Sequence, residues 1–242
     1  MFAKKISKKD IIYLSVIVLL LAATITLSAL LIREKNTLPS YYDQKCDMFA
    51  LENMNFSHGQ IAFIGDSLTD GCALDHYYTD LPLAAYNRGI GGDTTAGVLE
   101  RLKVSLFDIK PSKIVLLIGG NDVNGRRENA DILKNYEEIL KEISLNLPDT
   151  QVFCISILPM NKVVENYASI DVDRSMAAVK VLNPEIKSLA EKYGYEFVDL
   201  FSDFADSDGY LQIDLTPDGI HLNHEGYLKY SKIIEPLLSD AD

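Results

Sequence analysis

The residues best suited to chemistry in this sequence are a serine at a strand end and an aspartate–histidine pair far along the chain. Ser67 follows the uninterrupted apolar run 61–64 and two small polar residues, where a buried strand must turn into a helix. Asp218 precedes His221 by three residues, close enough for a carboxylate to orient an imidazole across one turn. A serine hydroxyl becomes a useful nucleophile when a neighbouring base takes its proton. Together these residue types favour nucleophilic hydrolysis.

Each of these residues also has a simpler interpretation. Asp66 or Ser67 could serve only as the cap of the following helix, a common role for both residue types. An isolated Asp-x-x-His segment is often a capped turn with a solvated histidine. Asp218, His221 and His224 could also act as ligands in a metal-dependent hydrolase, although the sequence offers no identifiable fourth ligand. From the residues alone these alternatives stay open.

Two further loops carry small and polar residues. The stretch 89–95 holds three glycines ahead of a predicted helix, so its exposed backbone N–H groups suit a phosphate or an oxyanion. It matches neither the Gly-x-x-x-x-Gly-Lys-Ser/Thr pattern nor the Gly-x-Gly-x-x-Gly pattern of nucleotide-binding loops. The stretch 119–122 reads Gly-Gly-Asn-Asp, in which the Asn121 amide is a neutral hydrogen-bond donor and Asp122 is expected to hold the loop.

Alternating strands and helices must position these residues. Strand-like apolar runs occur at 61–64, 84–86, 114–118, 152–157 and 197–200, and helical periodicity occurs at 94–106, 130–145, 176–193 and 226–238. This alternation predicts βαβ units around a parallel sheet. The carboxyl ends of such strands meet at one edge, where open α/β sheets bind ligands. We therefore predict one α/β domain over 60–242.

The beginning of the sequence differs from the rest. Residues 11–32 contain no charge, and Lys4, Lys5, Lys8 and Lys9 precede them. Such a stretch is long enough to cross a bilayer. The lysines predict that the residues before it lie in the cytoplasm. We expect a cytoplasmic segment over 1–10, a single transmembrane anchor over 11–32, a linker over 33–59 and a catalytic domain outside the cell. A cleaved signal peptide is the competing interpretation.

Charge and cysteine content exclude some functions. Residues 36–242 hold 17 basic and 33 acidic side chains, a net charge of −16, which disfavours binding to nucleic acid. The three cysteines do not form a disulfide framework or a metal cluster, and the sequence does not show whether Cys46 and Cys72 pair. A non-catalytic carbohydrate-binding module is a further alternative, which the absence of tryptophan weakly disfavours.

In combination, four blocks resemble the SGNH hydrolases, also called GDSL esterases or lipases. The blocks are Gly65-Asp66-Ser67-Leu68, then Gly92, then Gly119-Gly120-Asn121-Asp122, then Asp218-x-x-His221, in the family's order over about residues 60–238. The resemblance implies a flavodoxin-like three-layer α/β/α sandwich with a central parallel sheet of about five strands. It also implies that Ser67 is the nucleophile and His221 the base, oriented by Asp218. The backbone N–H groups of Ser67 and Gly92 and the side chain of Asn121 would form the oxyanion hole.

We accordingly expect a membrane-anchored, extracytoplasmic serine esterase that needs no cofactor or metal. Its predicted substrates are acyl esters, short-chain or acetyl, on a glycan or lipid of the cell envelope, with lysophospholipids or thioesters as the alternative. Neither the natural substrate nor the oligomeric state follows from the sequence.

Overall fold

The structure is a computed structural model that describes residues 8–35, 39–166 and 168–239. Most of the predicted cytoplasmic segment 1–10 therefore lies outside the described residues. The chain divides into two compact units, Met1–Gln44 and Lys45–Asp242.

Helix α1 (Lys8–Lys35) makes up most of the first unit and contains the predicted transmembrane segment 11–32. Within the described residues, however, no helix is both long and apolar enough to cross a membrane. The predicted transmembrane helix is thus not supported by the structure.

A five-stranded parallel sheet forms the centre of the second unit, as predicted. The strands are β1 (Ile61–Gly65), β2 (Ala85–Gly89), β3 (Lys113–Leu117), β4 (Gln151–Ile155) and β5 (Glu196–Val198). Their order across the sheet is β2-β1-β3-β4-β5, the order of a flavodoxin-like fold. Gly65 at the end of β1 is in register with Gly89 of β2 and with Leu117 of β3. The loops that follow these three strands therefore leave the sheet side by side.

Nine helices of the described chain follow α1: α2 (Tyr41–Asn53), α3 (Ser67–Asp70), α4 (Leu74–Tyr77), α5 (Thr95–Glu100), α6 (Gly120–Asn124), α7 (Asn129–Asn146), α8 (Val172–Lys192), α9 (Leu200–Phe204) and α10 (His224–Ser239). Short 3-10 turns lie at Lys162–Asn166 and Ile213–Leu215, and a π-helical turn at Lys103–Phe107. The helix predicted over 94–106 is therefore shorter than expected and ends in irregular turns.

Helices cover both faces of the sheet because alternate strand residues point to opposite sides. One core joins Ala62 and Ile64 of β1 to apolar residues of α5, α7 and α8. The other core joins Ile61 and Phe63 to residues of α4, α9 and α10. Strands β1 and β3 are buried on both faces, which explains their mainly apolar sequences. The result is the predicted three-layer arrangement.

The linker expected over 33–59 contains helix α2, whose C-terminal part belongs to the catalytic unit. Phe49 is fully buried, and the guanidinium of Arg88 lies 4.6 Å from the centre of its ring. Arg88 itself is buried on β2, and its Nη1 atom lies 2.8 Å from Glu52 Oε2. A buried arginine needs such a partner, so the part of α2 in this unit, residues 45–53, is anchored to the sheet.

Candidate active site

Ser67 stands at the turn from β1 into α3. Asp66 caps this helix, because its Oδ1 accepts a hydrogen bond from the Leu68 backbone N–H at 3.0 Å. A side chain at Gly65 would place its Cβ 2.2 Å from the carbonyl oxygen of Leu117, so only glycine fits at this point. The cap and the glycine together fix the strand-to-helix turn, and Ser67 is left half-buried at its rim. The capping interpretation therefore applies to Asp66 and leaves the Ser67 hydroxyl available.

His221 links the Ser67 hydroxyl to Asp218. Its Nε2 lies 3.0 Å from Ser67 Oγ, and its Nδ1 lies 2.6 Å from Asp218 Oδ2. These two contacts join residues 154 positions apart in sequence and form a continuous hydroxyl–imidazole–carboxylate chain. In this arrangement the imidazole can take the serine proton while the carboxylate holds the ring and stabilises its cationic form.

The turn that carries Asp218 and His221 is held by its own backbone. Asp218 Oδ1 accepts hydrogen bonds from the N–H groups of Ile220 and His221, at 3.0 and 2.9 Å. Partial burial raises the pKa of Asp218, but the hydrogen bonds from the His221 side chain and from these backbone N–H groups lower it, and the net pKa lies below the usual value. The carboxylate is therefore ionised when the imidazole becomes protonated.

Asn121 lies against the turn at Gly92. Its Nδ2 donates to the carbonyl oxygen of Asp93 at 2.9 Å. A side-chain amide has two N–H bonds, and the hydrogen bond to Asp93 uses one of them. Gly92 has a φ of +81°, which favours glycine over any other residue. The structure thus brings Asn121 beside the Gly92 turn, and Asn121 lines the same small pocket as Ser67.

Arg101 ties the loops after β1 and β2 together, a role that the sequence pattern did not indicate. It is 2% exposed, and its Nε donates to Asp93 Oδ2 at 2.7 Å. Its two Nη atoms donate to the carbonyl oxygens of Gly65 and Arg88, at 2.9 and 2.8 Å, and to Ser105 Oγ at 2.9 Å. The guanidinium therefore connects the strand that ends before Ser67 to the turn after Gly92. An arginine inside a helical stretch gives no sequence signal for this, because its partners lie on other elements.

Two further carboxylates lie beneath the site. Asp122 is buried and accepts hydrogen bonds from the backbone N–H and the hydroxyl of Thr95, both at 2.8 Å. It holds the 119–122 loop against α5. Asp66 is 4% exposed, and burial raises its pKa to about 7 despite the hydrogen bond from Leu68. Asp93 and Asp122 add repulsion, whereas His221 acts in the opposite direction.

The pocket beside Ser67 is small and mostly apolar. Its volume is about 30 Å³, and its walls include side chains from the segments after β1, β3 and β4 and from the Asp218–His221 turn: Leu68, Leu117, Ile157, Leu158, Pro159, Met160 and Ile220. A water-sized group needs roughly 10–15 Å³ of such space. The pocket therefore accommodates about two such groups.

The other histidines do not contact the Ser67 hydroxyl. His224 begins α10, and its Nδ1 lies 3.2 Å from the hydroxyl of Tyr77. Because His221 is engaged by Asp218 and His224 by Tyr77, the two imidazoles do not converge with Asp218 as metal ligands. Among the described residues, no cluster of three or more histidine, cysteine, aspartate or glutamate side chains could hold a metal ion. The described residues therefore give no support to the alternative metal site at Asp218, His221 and His224.

Known proteins resemble this chain in sequence and in fold. The sequence model of the GDSL-like lipase/acylhydrolase family matches residues 63–229, and the chain belongs to this family of ester-hydrolysing enzymes. The SGNH resemblance noted in the sequence is thereby confirmed.

Individual relatives extend the comparison. The chain is 29% identical over 185 residues to platelet-activating factor acetylhydrolase IB subunit alpha2 of Homo sapiens, covering 74% of this chain and 75% of that protein. A Streptococcus pneumonia structure named after platelet activating factor is 28% identical, with a TM-score of 0.74 over 90% of this chain and 98% of that one. A GDSL-like lipase from Bacteroides thetaiotaomicron has a TM-score of 0.71 at 20% identity, over 82% and 98% of the two chains. This last likeness concerns the fold alone.

Proposed function

We propose that this protein is a serine esterase that removes acetyl or other short acyl groups through an acyl-enzyme. The observation that carries the proposal is the chain of contacts from Asp218 through His221 to Ser67. In this mechanism Ser67 Oγ attacks the ester carbonyl while His221 Nε2 takes its proton. The imidazolium then protonates the departing alcohol, and a water molecule activated by His221 hydrolyses the acyl-serine.

The tetrahedral intermediates need donors for their oxyanion. We assign this role to the backbone N–H groups of Ser67 and Gly92 and to the free N–H of the Asn121 amide. Each preorganised donor of this kind contributes about 3–4 kcal/mol to transition-state stabilisation. The Asn121–Asp93 hydrogen bond supports the assignment, because it orients the amide beside the Gly92 turn.

The preference for a short acyl group is supported by the 30 Å³ pocket beside Ser67. An acetyl group places its methyl carbon there, whereas an octanoyl chain would need the surrounding apolar side chains to move. The name of the human relative, an acetylhydrolase, agrees with a small acyl group. Thioesters and lysophospholipids with long chains fit this pocket less well than acetyl esters.

An acyl-length series tests the proposal. We expect kcat/KM for p-nitrophenyl acetate and butyrate to exceed that for the octanoate by at least ~10-fold, since a long chain cannot be buried without rearrangement. Met160→Ala should move the preference toward longer chains, because Met160 lines the pocket. Met176→Ala is the matched control, since this buried methionine packs in the same cluster but does not line the pocket. A wild-type preference for octanoate would contradict the short-acyl assignment.

We also propose that the catalytic unit works outside the cytoplasm, on esters of the cell envelope. The support is the sequence alone: the uncharged stretch 11–32 with lysines before it, and the acidic composition of the remainder. Protease added to intact cells should degrade the catalytic unit and abolish esterase activity. If the catalytic unit resists the protease until the cells are lysed, the enzyme lies inside the cell and this proposal is wrong.

A further inference from the structure

The five arginines of the catalytic unit fall into two groups. Both Arg88 and Arg101 are buried, the former against α2 and the latter beneath the site. The other three gather at α6, the helix that carries Asn121. Arg126 and Arg127 directly follow α6, and Arg174 Nη1 donates to the carbonyl oxygen of Val123 at 3.1 Å. In a body with a net charge of −16, this places positive charge beside the active site.

Arg127 is held along one edge and open along the other. Its Nε lies 3.2 Å from Asp122 Oδ1, and the Asp122 side chain is fully buried. Asp122 is itself fixed by Thr95, so the guanidinium is attached to a rigid support. The Arg127 side chain nevertheless remains 42% exposed. A planar guanidinium presents N–H groups in a geometry that matches carboxylate or phosphate oxygens.

Arg127 lines a groove of about 240 Å³, together with Thr94, Asn121, Asp122 and Gly125. Asn121 also lines the 30 Å³ pocket beside Ser67. Asn121, the residue assigned to the oxyanion hole, thus lines both depressions.

We propose that this groove binds the alcohol part of the substrate and that Arg127 recognises an anionic group on it, a carboxylate or a phosphate. The inference rests on the proposed esterase function and narrows its substrate class. It runs against the overall charge of the protein, because an acidic body by itself attracts cationic esters. A purely structural role for Arg127, neutralising buried Asp122, predicts no selectivity between charged and neutral alcohols.

The test uses four acetate esters that differ only in the substituent on the phenol. They are phenyl acetate and its 4-carboxy, 4-phosphonomethyl and 4-trimethylammonio derivatives. For each anionic ester, kcat/KM is divided by the value for phenyl acetate, and the ratio is compared between enzymes so that leaving-group reactivity cancels. We expect this ratio to fall about 10-fold in Arg127→Gln, as for loss of a partly exposed charged hydrogen bond. Comparing the ratios for the 4-carboxy and 4-phosphonomethyl esters shows whether the groove prefers a carboxylate or a phosphate-like group.

Arg126→Gln is the matched control, since it makes the same change in net charge at the neighbouring exposed position and Arg126 does not line the groove. Arg126→Gln should keep the wild-type ratio. Arg127→Lys should give a ratio between those of Arg127→Gln and the wild type. Inhibition supplies a second measurement: 4-hydroxybenzoate should inhibit the wild type more strongly than phenol does, and this difference should shrink in Arg127→Gln.

Three results would overturn the inference: equal ratios in Arg127→Gln and wild type, equal losses in both glutamine variants, or a wild-type preference for the trimethylammonio ester. If phenyl acetate is hydrolysed in a Ser67-dependent way in those cases, the esterase function stands and only the alcohol site is wrong. If none of the esters is hydrolysed, the proposed function fails and the alcohol site falls with it.

Discussion

The two halves of the active site are built in different ways. On the oxyanion side, the Arg101 and Asp93 side chains are 1% and 3% exposed, and their partners come from several distant elements. On the acid–base side, the His221 and Asp218 side chains are 45% and 38% exposed, and they lie three residues apart in one turn. The first pair is held by burial, whereas the second is held by local hydrogen bonds. Substitutions should therefore affect stability on the first side and mainly the reaction on the second.

The largest expected effect comes from Ser67, where the two halves meet. Ser67→Ala should lower kcat by at least ~10⁴-fold, because no other hydroxyl contacts His221 Nε2 in the described chain. The melting temperature should change little, since the side chain is only half-buried. Labelling by a fluorophosphonate probe should also disappear. Turnover near the wild-type level would remove Ser67 from the mechanism.

On the exposed side, His221→Ala should lower kcat by at least ~10³-fold while the free energy of unfolding changes by less than about 1 kcal/mol. His224→Ala is the matched control, because its imidazole contacts Tyr77 instead, and it should cost at most ~10-fold. Asp218→Asn should fall between these two. Steady-state kinetics and denaturant unfolding on the same samples separate the two quantities. An inactive His224→Ala variant beside an active His221→Ala variant would contradict the assignment of His221 as the base.

On the buried side, Arg101→Met should show the opposite balance. The substitution leaves the Asp93 carboxylate buried without its partner, so we expect a loss of about 3–5 kcal/mol in the free energy of unfolding. The remaining folded enzyme should lose about 10-fold in kcat with little change in KM, because the Gly92 turn and Asn121 shift relative to Ser67. Lys103→Met, which removes an exposed ion pair with Asp108, is the control and should cost at most about 1 kcal/mol. Equal losses in the two variants would show that burial does not distinguish the pairs.

The smallest effect on the reaction is expected at Asp66. Its burial should instead appear in the pH dependence of the free energy of unfolding. Its folded pKa of about 7 lies above the ordinary value of 3.8, so the folded protein holds a proton that the unfolded chain releases between these values. The contribution of Asp66 to the stability of the wild type should therefore fall as pH rises from about 4 to about 7. The Asp66→Asn variant keeps the helix cap but has no carboxyl group to titrate at this position. Its free energy of unfolding, relative to that of the wild type, should therefore rise over the same pH range by up to ~4 kcal/mol. A difference that is constant with pH would show that Asp66 is ionised throughout the range.

The sequence by itself determined the local parts of this protein. Continuous apolar runs specified β1, β3 and β4, because a strand covered on both faces needs no polar alternation. Asp218 and His221 were recognisable as a pair, since a separation of three residues lets one side chain reach the other within a turn. Likewise, the Gly65-Asp66-Ser67 stretch specified a strand-to-helix turn through its backbone requirements. The helix boundaries were less predictable, as the π-helical turn at Lys103–Phe107 shows.

Only the tertiary structure decided which of these local parts meet. Whether Ser67 merely capped a helix or faced His221 depended on a contact across 154 residues, which no local pattern encodes. Helix α2 was expected within a linker, yet Phe49 and Glu52 secure it to Arg88 on the sheet. Arg101 and Arg127 resemble ordinary surface arginines in the sequence. One is buried among backbone carbonyls and the other is supported by a buried carboxylate, because burial and ion pairing depend on elements that only folding brings together.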